Sequence, residues 1–168
     1  MAGSNATLGD VTVDRLFVKN QITTPAAQFG NSAIEPAAGI AASKLDHQRS
    51  RGFAITSATT VATTRQVLFI AREAGTLRDF AATLVDACAG AATVVVDLLK
   101  NGTTVLTATA DLDSGDADYD VVAATIDAAA EDFVAGDVFE VDVVATAGGG
   151  TLGKGLAVEA RFDEAYVA

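Results

Sequence analysis

The dipeptide Asn101-Gly102 separates two apolar runs, Thr93–Lys100 and 103–110. A two-residue turn of type I′ requires positive φ at both central residues, and asparagine followed by glycine adopts that conformation most readily. The sequence therefore predicts a β-hairpin at this point. Because a hairpin is a pair of antiparallel strands, we expect this part of the chain to form a sheet rather than a helix bundle.

Further strands are predicted on both sides of the hairpin. The clearest is 138–145, in which Phe139, Val141 and Val143 share one face while Glu140 and Asp142 point to the other. The remaining predicted strands are 53–57, 65–72, 76–86, 119–126 and 154–162, and 127–135 is expected to form a short helical or bulged connection. Strands separated by turn signals, without alternating long helices, predict an antiparallel β-sandwich or barrel.

The first fifty residues differ from the rest of the chain. Residues 1–50 are predicted to form an N-terminal arm and linker, and residues 51–168 the β-sandwich domain. Apolar residues indicate a short extended segment at 10–22, Pro25 and Gly30 mark the linker that follows, and 36–45 could form one or two helical turns. We expect this arm to be too poor in apolar residues to bury a core of its own.

The chain is strongly acidic, with a formal net charge of −11 and a pI near 4.3. The charge is uneven, because residues 1–53 have a net charge of +1 and residues 54–168 a net charge of −12. A nucleic-acid or anionic-membrane surface needs clustered Lys and Arg, so neither partner is expected. No signal-peptide pattern or membrane-spanning apolar run is recognised, and we expect a soluble protein made in the cytoplasm.

Few residues suggest site chemistry. Cys88 and His47 are the only cysteine and histidine, so neither a zinc site nor a Cys–His catalytic pair is indicated. Four aspartates in an acidic run, to which Asp120 also belongs, could contribute oxygen ligands to a calcium ion: Asp111, Asp113, Asp116 and Asp118. Their spacing departs from that of an EF-hand loop, and a solvated acidic loop is the preferred interpretation. No catalytic residue and no cofactor are predicted.

Three segments carry a resemblance to a known family. Segments 95–106, 133–143 and 153–158 resemble a recurring jelly-roll-type β-sandwich of tailed-phage virions, in which one strand ends in Asn-Gly-Thr, an Ala-Gly-Asp turn precedes the penultimate strand and Gly-Leu precedes the last. Segment 34–45 is similar to linkers of phage appendage proteins. The resemblance implies an all-β, jelly-roll-like antiparallel sandwich of about eight strands with an extended N-terminal arm. It also implies a non-enzymatic homotrimer on the virion surface.

The leading hypothesis is a capsid decoration, or cement, protein that stabilises a phage head by bridging neighbouring subunits of the major capsid protein. Such a protein would be made in the host cytoplasm and then lie on the capsid surface. The residues expected to contact partners are apolar and basic side chains at the N-terminal end: Arg15, Leu16, Phe17, Val18, Lys19, Ile22, Phe29, Ile34, Ile40, Lys44, Leu45, Arg49 and Arg51. Linked weak contacts of this kind would add through multivalency.

Other interpretations remain open at this point. The arm could pack on its own sandwich instead of on a neighbour. The chain could be the receptor- or glycan-binding tip of a phage tail or head fibre, although it has no tryptophan and only two tyrosines on which a sugar could stack. It could also be a module of a bacterial surface or extracellular matrix, which would call for an export signal.

Overall fold

The computed structural model describes residues 47–164, which form strands and connecting turns with no helix. Accordingly, these residues contain no helix that could span a membrane. The twelve strands are β1 (His47–Ala54), β2 (Thr64–Ile70), β3 (Gly75–Thr83), β4 (Thr93–Lys100), β5 (Thr103–Thr104), β6 (Leu106–Ala108), β7 (Ala110–Leu112), β8 (Val121–Ala123), β9 (Thr125–Ile126), β10 (Asp132–Phe133), β11 (Val138–Thr146) and β12 (Ala157–Glu164). The predicted all-β fold with antiparallel sheets is confirmed.

Two five-stranded sheets face each other. In the first sheet, β12 lies between β1 and β3, and both β8 and β10 pair with the far side of β3. In the second sheet, β11 lies between β2 and β4, and both β5 and β7 pair with β4. A small ribbon of β6 and β9 lies beside them, and every pairing is antiparallel. The first sheet therefore begins with β1 and the second with β2, and these two strands contact each other on one side of the sandwich.

The core lies between the two sheets and is rich in phenylalanine. Phe69 of β2 stacks on Phe139 of β11 with 4.9 Å between ring centroids, and its edge contact with Phe162 of β12 crosses to the other sheet at 4.5 Å. Phe133 packs against the same rings edge to face. Aromatic pairs in such arrangements stabilise a core beyond the area that they bury.

The last strand alternates as its sequence predicts. Val158, Ala160 and Phe162 are buried, and so is Leu156 just before the strand, whereas Glu159 is exposed. The alternation extends past residue 162, where the predicted strand ends, and Glu164 is also buried on the inner face. A strand with one face on the core and one face in water produces this period of two.

The hairpin at Asn101-Gly102 is confirmed. Both residues have positive φ, 52° for Asn101 and 82° for Gly102, as a type I′ turn requires. The Asn101 side chain donates to Asp137 over 2.7 Å and accepts from the Val138 amide over 2.9 Å. The Asn-Gly and Ala-Gly-Asp turns, which carry the family resemblance, are therefore joined by hydrogen bonds.

This junction also affects a carboxyl group. The pKa of Asp137 is held below its ordinary value, first by the hydrogen bond from the Val134 amide and next by the one from Asn101, with a smaller contribution from the Lys100 ammonium. Lys100 itself donates to two backbone carbonyls of the neighbouring turn. The charged form of Asp137 is thus part of the fold.

Two irregularities in the strands overturn sequence expectations. A strict period of two predicts Val67, Phe69 and Ala71 on one face of β2, but the register of β2 against β11 shifts between Phe139 and Glu140, so Val67 is exposed while Phe69 points inward. The same period would place Leu77 and Phe80, three residues apart, on opposite faces of β3, but a similar shift in the pairing of β3 with β12 puts both on the buried face. An extra residue in one strand reverses the alternation beyond it, which is the general effect of a β-bulge.

Other element boundaries also differ from expectation. The first strand is His47–Ala54 rather than 53–57, because its pairing with β12 runs the full length of that strand. Segment 119–126 is divided into β8 and β9, which pair with different strands. Segment 127–135 contains turns and the short strand β10. Local periodicity alone could not reveal these pairings, since each depends on a partner distant in sequence.

Candidate interaction surfaces

One side of the sandwich is formed by β1 and β2, and we call it the open side. Within residues 47–164, each of these strands is hydrogen-bonded to a neighbour on one flank only. They are eight and seven residues long, so each presents a long row of backbone N–H and C=O groups without a strand partner. Proteins usually shorten or cover such edges, because an exposed edge pairs readily with another chain.

The open side is basic in an otherwise acidic domain. Residues 47–164 contain eighteen acidic and eight basic side chains, yet β1 and β2 contain Arg49, Arg51 and Arg65 and no acidic residue. Arg51 has no carboxylate partner within the described residues, and its guanidinium lies over the Phe69 ring at 5.9 Å from the centroid. This cation–π contact joins β1 of the first sheet to β2 of the second sheet.

The other two arginines have carboxylate partners on neighbouring strands. Arg49 pairs with Glu164 over 2.9 Å, and the Glu164 side chain is only 7% exposed. Arg65 lies 3.5 Å from Glu140 in a more exposed pair. Half of each arginine side chain stays accessible, so both can still face a partner.

Two large apolar residues are exposed on the open side. Val67 is 59% exposed and Ile70 is 55% exposed, both on β2. The β-bulge described above turns Val67 outward, which is why strand periodicity did not reveal it. Apolar side chains beside an unpaired strand edge are the composition of a surface that binds another polypeptide.

The opposite side is built from the short strands β7 and β8 and the loop 113–120 that joins them, and we call it the acidic side. The two strands have three residues each and contact one another, so this flank offers no long free edge. The loop contains four aspartates, and residues 101–153 as a whole contain eleven acidic residues and no basic one. The two sides thus differ in both edge length and charge.

Hydrogen bonds hold the aspartates of the loop in place. Asp116 accepts from the Asp113 amide and Asp120 from the Ala117 amide, each over 2.8 Å. Asp118 accepts from the Ala87 amide over 2.8 Å, which ties the loop to the segment after β3. Short side chains of this type often bond to nearby amides in turns. The carboxylates are therefore oriented by the loop itself.

The calcium hypothesis concerned Asp111, Asp113, Asp116 and Asp118. Three of these carboxylates bond to backbone amides and Asp111 accepts from Thr109. Within the part of the chain that the structure describes, no group of three or more His, Cys, Asp or Glu side chains is arranged to hold a metal ion. The structure thus does not bring these four together as a set of ligands.

An aromatic residue stands at the end of the acidic loop. Tyr119 is 68% exposed and has a φ of 65°, a left-handed conformation that is uncommon for residues other than glycine. Its amide donates to the Leu84 carbonyl over 2.8 Å, which holds the backbone there. Val121, two residues later, is 70% exposed. Strained backbone that presents exposed side chains suggests a functional role.

A shallow groove of about 320 Å³ lies on the outer face of the first sheet. Small residues of β3 and β12 line it, including Ala81 and Ala157, and Val121 borders it. Asp79 and Arg161, also in the lining, form an ion pair over 2.5 Å. The groove is mostly apolar, with charged groups at one end.

The predicted contact residues divide into two groups. Arg49 and Arg51 lie on β1 of the sandwich, where the structure gives each of them a contact within the domain. The other eleven, Arg15, Leu16, Phe17, Val18, Lys19, Ile22, Phe29, Ile34, Ile40, Lys44 and Leu45, lie outside the described residues. Val67, Ile70 and Tyr119 were not among the predicted contacts; the exposure of Val67 depends on a bulge and that of Tyr119 on a turn.

Cys88 is a buried free thiol, and the Gly153 amide donates to its sulfur over 3.3 Å. No protein-family model matches the chain, and no curated protein sequence matches it.

Proposed function

We propose that this chain is a non-enzymatic structural protein of a tailed-phage particle, a capsid decoration protein that acts as one of many copies in a symmetric assembly. The observation that carries the proposal is the open side, where two long strand edges that have no strand partner within residues 47–164 lie beside exposed Val67 and Ile70. A domain that stays a free monomer gains nothing from such a surface and risks aggregation. A domain that docks on other polypeptides uses it.

The family resemblance supports the phage assignment. Its Asn-Gly and Ala-Gly-Asp motifs lie in one hydrogen-bonded junction, through Asn101 and Asp137. The motifs therefore occur as parts of one structural unit rather than as unrelated turns. This agreement favours the virion sandwich over an arbitrary β-domain that happens to share the turn residues.

In the proposed mechanism each copy makes several weak contacts, and binding becomes stronger because many linked copies make them together. Residues 1–46 join the sandwich at His47, the first residue of β1, which belongs to the open side. An arm that reaches neighbouring capsid subunits and an open side that binds a neighbouring copy would each contribute a weak contact. In a trimer three such sets act at once, and linked contacts of this kind raise avidity by roughly 10²–10⁴.

The test uses particles of the phage that carries the gene. Purified heads are expected to contain the chain in symmetric, stoichiometric amounts, as measured by mass spectrometry and seen as an added surface layer by electron cryomicroscopy. Heads made without the gene should break at a lower temperature, and adding the purified chain should restore them. Absence of the chain from purified particles would contradict the proposal.

Two variants make this test specific. Val67→Ser with Ile70→Ser is expected to leave the domain folded but to reduce restoration of the heads. The matched control is Val144→Ser, which removes an exposed valine from β11, an inner strand of the second sheet rather than an edge strand. If the control fails as badly as the open-side variant, the open side is not the docking surface.

The alternative is a receptor- or glycan-binding tip of a fibre. One observation favours it, namely that exposed Tyr119 stands two residues before Val121 at the border of the groove on the first sheet. In this function the Tyr119 ring would stack on a sugar that also contacts the groove. This function predicts that a bound glycan raises the melting temperature and that Tyr119→Ala abolishes the rise.

A further inference from the structure

We infer that copies of this chain bind one another head to tail, the open side of one copy against the acidic side of the next. The inference rests on the proposed function in supposing an assembly of many copies, and it adds the surfaces and the direction of the contact. Three properties of the two sides carry the inference: their charges are opposite, both expose apolar side chains, and they lie on opposite flanks of the sandwich.

The first property is charge. β1 and β2 contain three arginines and no acidic residue, while loop 113–120 contains four aspartates and no basic residue. Arg51 has no carboxylate partner among residues 47–164. One oxygen each of Asp116, Asp118 and Asp120 accepts a backbone hydrogen bond, and Asp118 and Asp120 are exposed to solvent. Surfaces of opposite charge attract and select their relative orientation.

The second property is exposed apolar area. The open side has Val67 and Ile70, and the acidic side has Tyr119 and Val121. Each pair lies beside the charged residues of its own side, so a contact that joins the charges also covers the apolar groups. Two open sides facing each other would cover Val67 and Ile70 but would oppose arginines to arginines.

The third property is position. β1 and β2 are at one end of the two sheets, and β7 and β8 are at the other end. Surfaces on opposite flanks of a subunit can bind heterologously, and repetition of that contact gives a closed ring or an open filament. A closed ring of three is the arrangement that the family resemblance implies.

The expected affinity follows from size. A strand of eight residues is about 26 Å long and the two sheets of a sandwich are about 10 Å apart, so the open side is a small interface. We therefore expect micromolar association of the free chain, which would become firm only when several copies are held on one particle.

The experiment uses the full-length chain and two variants, studied by light scattering and sedimentation velocity at up to about 100 μM. The open-side variant is Arg51→Glu with Arg65→Glu. The acidic-side variant is Tyr119→Lys with Val121→Lys, which changes exposed side chains without removing a hydrogen-bonded carboxylate. The control is Asp97→Asn, which removes charge from the outer face of the second sheet on β4, two strands away from β2. Circular dichroism establishes that each variant is folded.

Head-to-tail binding predicts that the wild type and the control associate and that each variant alone is monomeric. It further predicts that the two variants mixed in equal amounts form a one-to-one dimer and nothing larger, because the mixture has one intact contact only. Raising the salt from about 0.1 M to 1 M should weaken wild-type association about tenfold, since the Debye length falls from about 10 Å to about 3 Å.

Other results would overturn the inference. A monomeric wild type would mean that no second copy binds, for example because the chain's own first 46 residues or a different protein occupies the open side. If only the open-side variant loses association, the open side pairs with itself; if only the acidic-side variant loses it, the acidic side does. Absence of the chain from phage particles would contradict the proposed function but not this contact. A chain that is present on particles but stays monomeric in solution would contradict this contact but not the proposed function.

Discussion

The open side and the acidic side solve the same structural problem in different ways. Every sandwich has edge strands, and an edge strand exposes backbone groups that can pair with another chain. On the acidic side the problem is removed, because β7 and β8 are short, contact each other and are joined by a loop rich in fixed carboxylates. On the open side β1 and β2 remain long and carry exposed apolar residues. Within residues 47–164 the two flanks therefore differ in both edge length and exposed apolar area.

The stability of the open side is expected to depend most on Phe69. Phe69→Ala should lower the free energy of unfolding by about 3 kcal/mol, because it removes ring contacts to Phe139 and Phe162 and the ring beneath Arg51. Urea denaturation of the full chain measures this loss. The control is Val67→Ala, two residues away and exposed, which should cost less than about 0.5 kcal/mol. Equal losses would show that the open side is less exposed than described.

A smaller effect is expected at the ion pair between β1 and β12. Arg49→Ala should destabilise the chain by about 2 kcal/mol, because it leaves the buried carboxylate of Glu164 without its cation. The matched change is Arg65→Ala, whose pair with Glu140 is longer and more exposed and should cost about 0.5 kcal/mol. A double variant, Arg49→Leu with Glu164→Leu, should recover most of the loss. If the Arg49 and Arg65 variants lose the same stability, burial of the carboxylate partner does not distinguish the two ion pairs.

Asp137 belongs to neither side and provides a comparison within the sandwich. Asp137→Ala should lower stability by about 1–2 kcal/mol near neutral pH, through loss of the bonds to Val134 and Asn101. Because its folded-state pKa lies below the unfolded value of about 3.9, this contribution is complete above that value and is lost as the pH falls through the folded-state pKa. Urea midpoints of the wild type and the variant should therefore converge in acid. A difference that stays constant down to pH 2 would mean that the charge on Asp137 is not involved.

The smallest effect is expected at Tyr119 on the acidic side. Tyr119→Gly should raise stability by roughly 0.5 kcal/mol, because glycine adopts the left-handed φ of 65° without strain and the exposed ring has little packing to lose. Tyr119→Ala keeps the Cβ and should show no gain. The glycine variant should nevertheless associate less well than the wild type in light scattering. Stability and association that fall together would contradict a binding role for the ring.

Local sequence patterns predicted much of the sandwich. The Asn101-Gly102 turn, β4 and the alternation of β11 and β12 follow from positive φ and from the period of two, both of which are properties of neighbouring residues. The uneven charge of the chain was also visible. Of the surfaces, however, the sequence identified the acidic loop and two of the three arginines, and it treated Arg49 and Arg51 as parts of an arm.

The sequence by itself determined that this chain forms antiparallel sheets and that residues 101–153 carry acidic side chains and no basic one, because turn chemistry, alternation and net charge are properties of consecutive residues. Only the tertiary structure decided which strands lie at an edge, that a bulge turns Val67 outward, and that Arg51 covers Phe69. The reason is physical: an edge, a bulge or a contact between sheets is a relation between strands far apart in the chain, so no local window contains both partners.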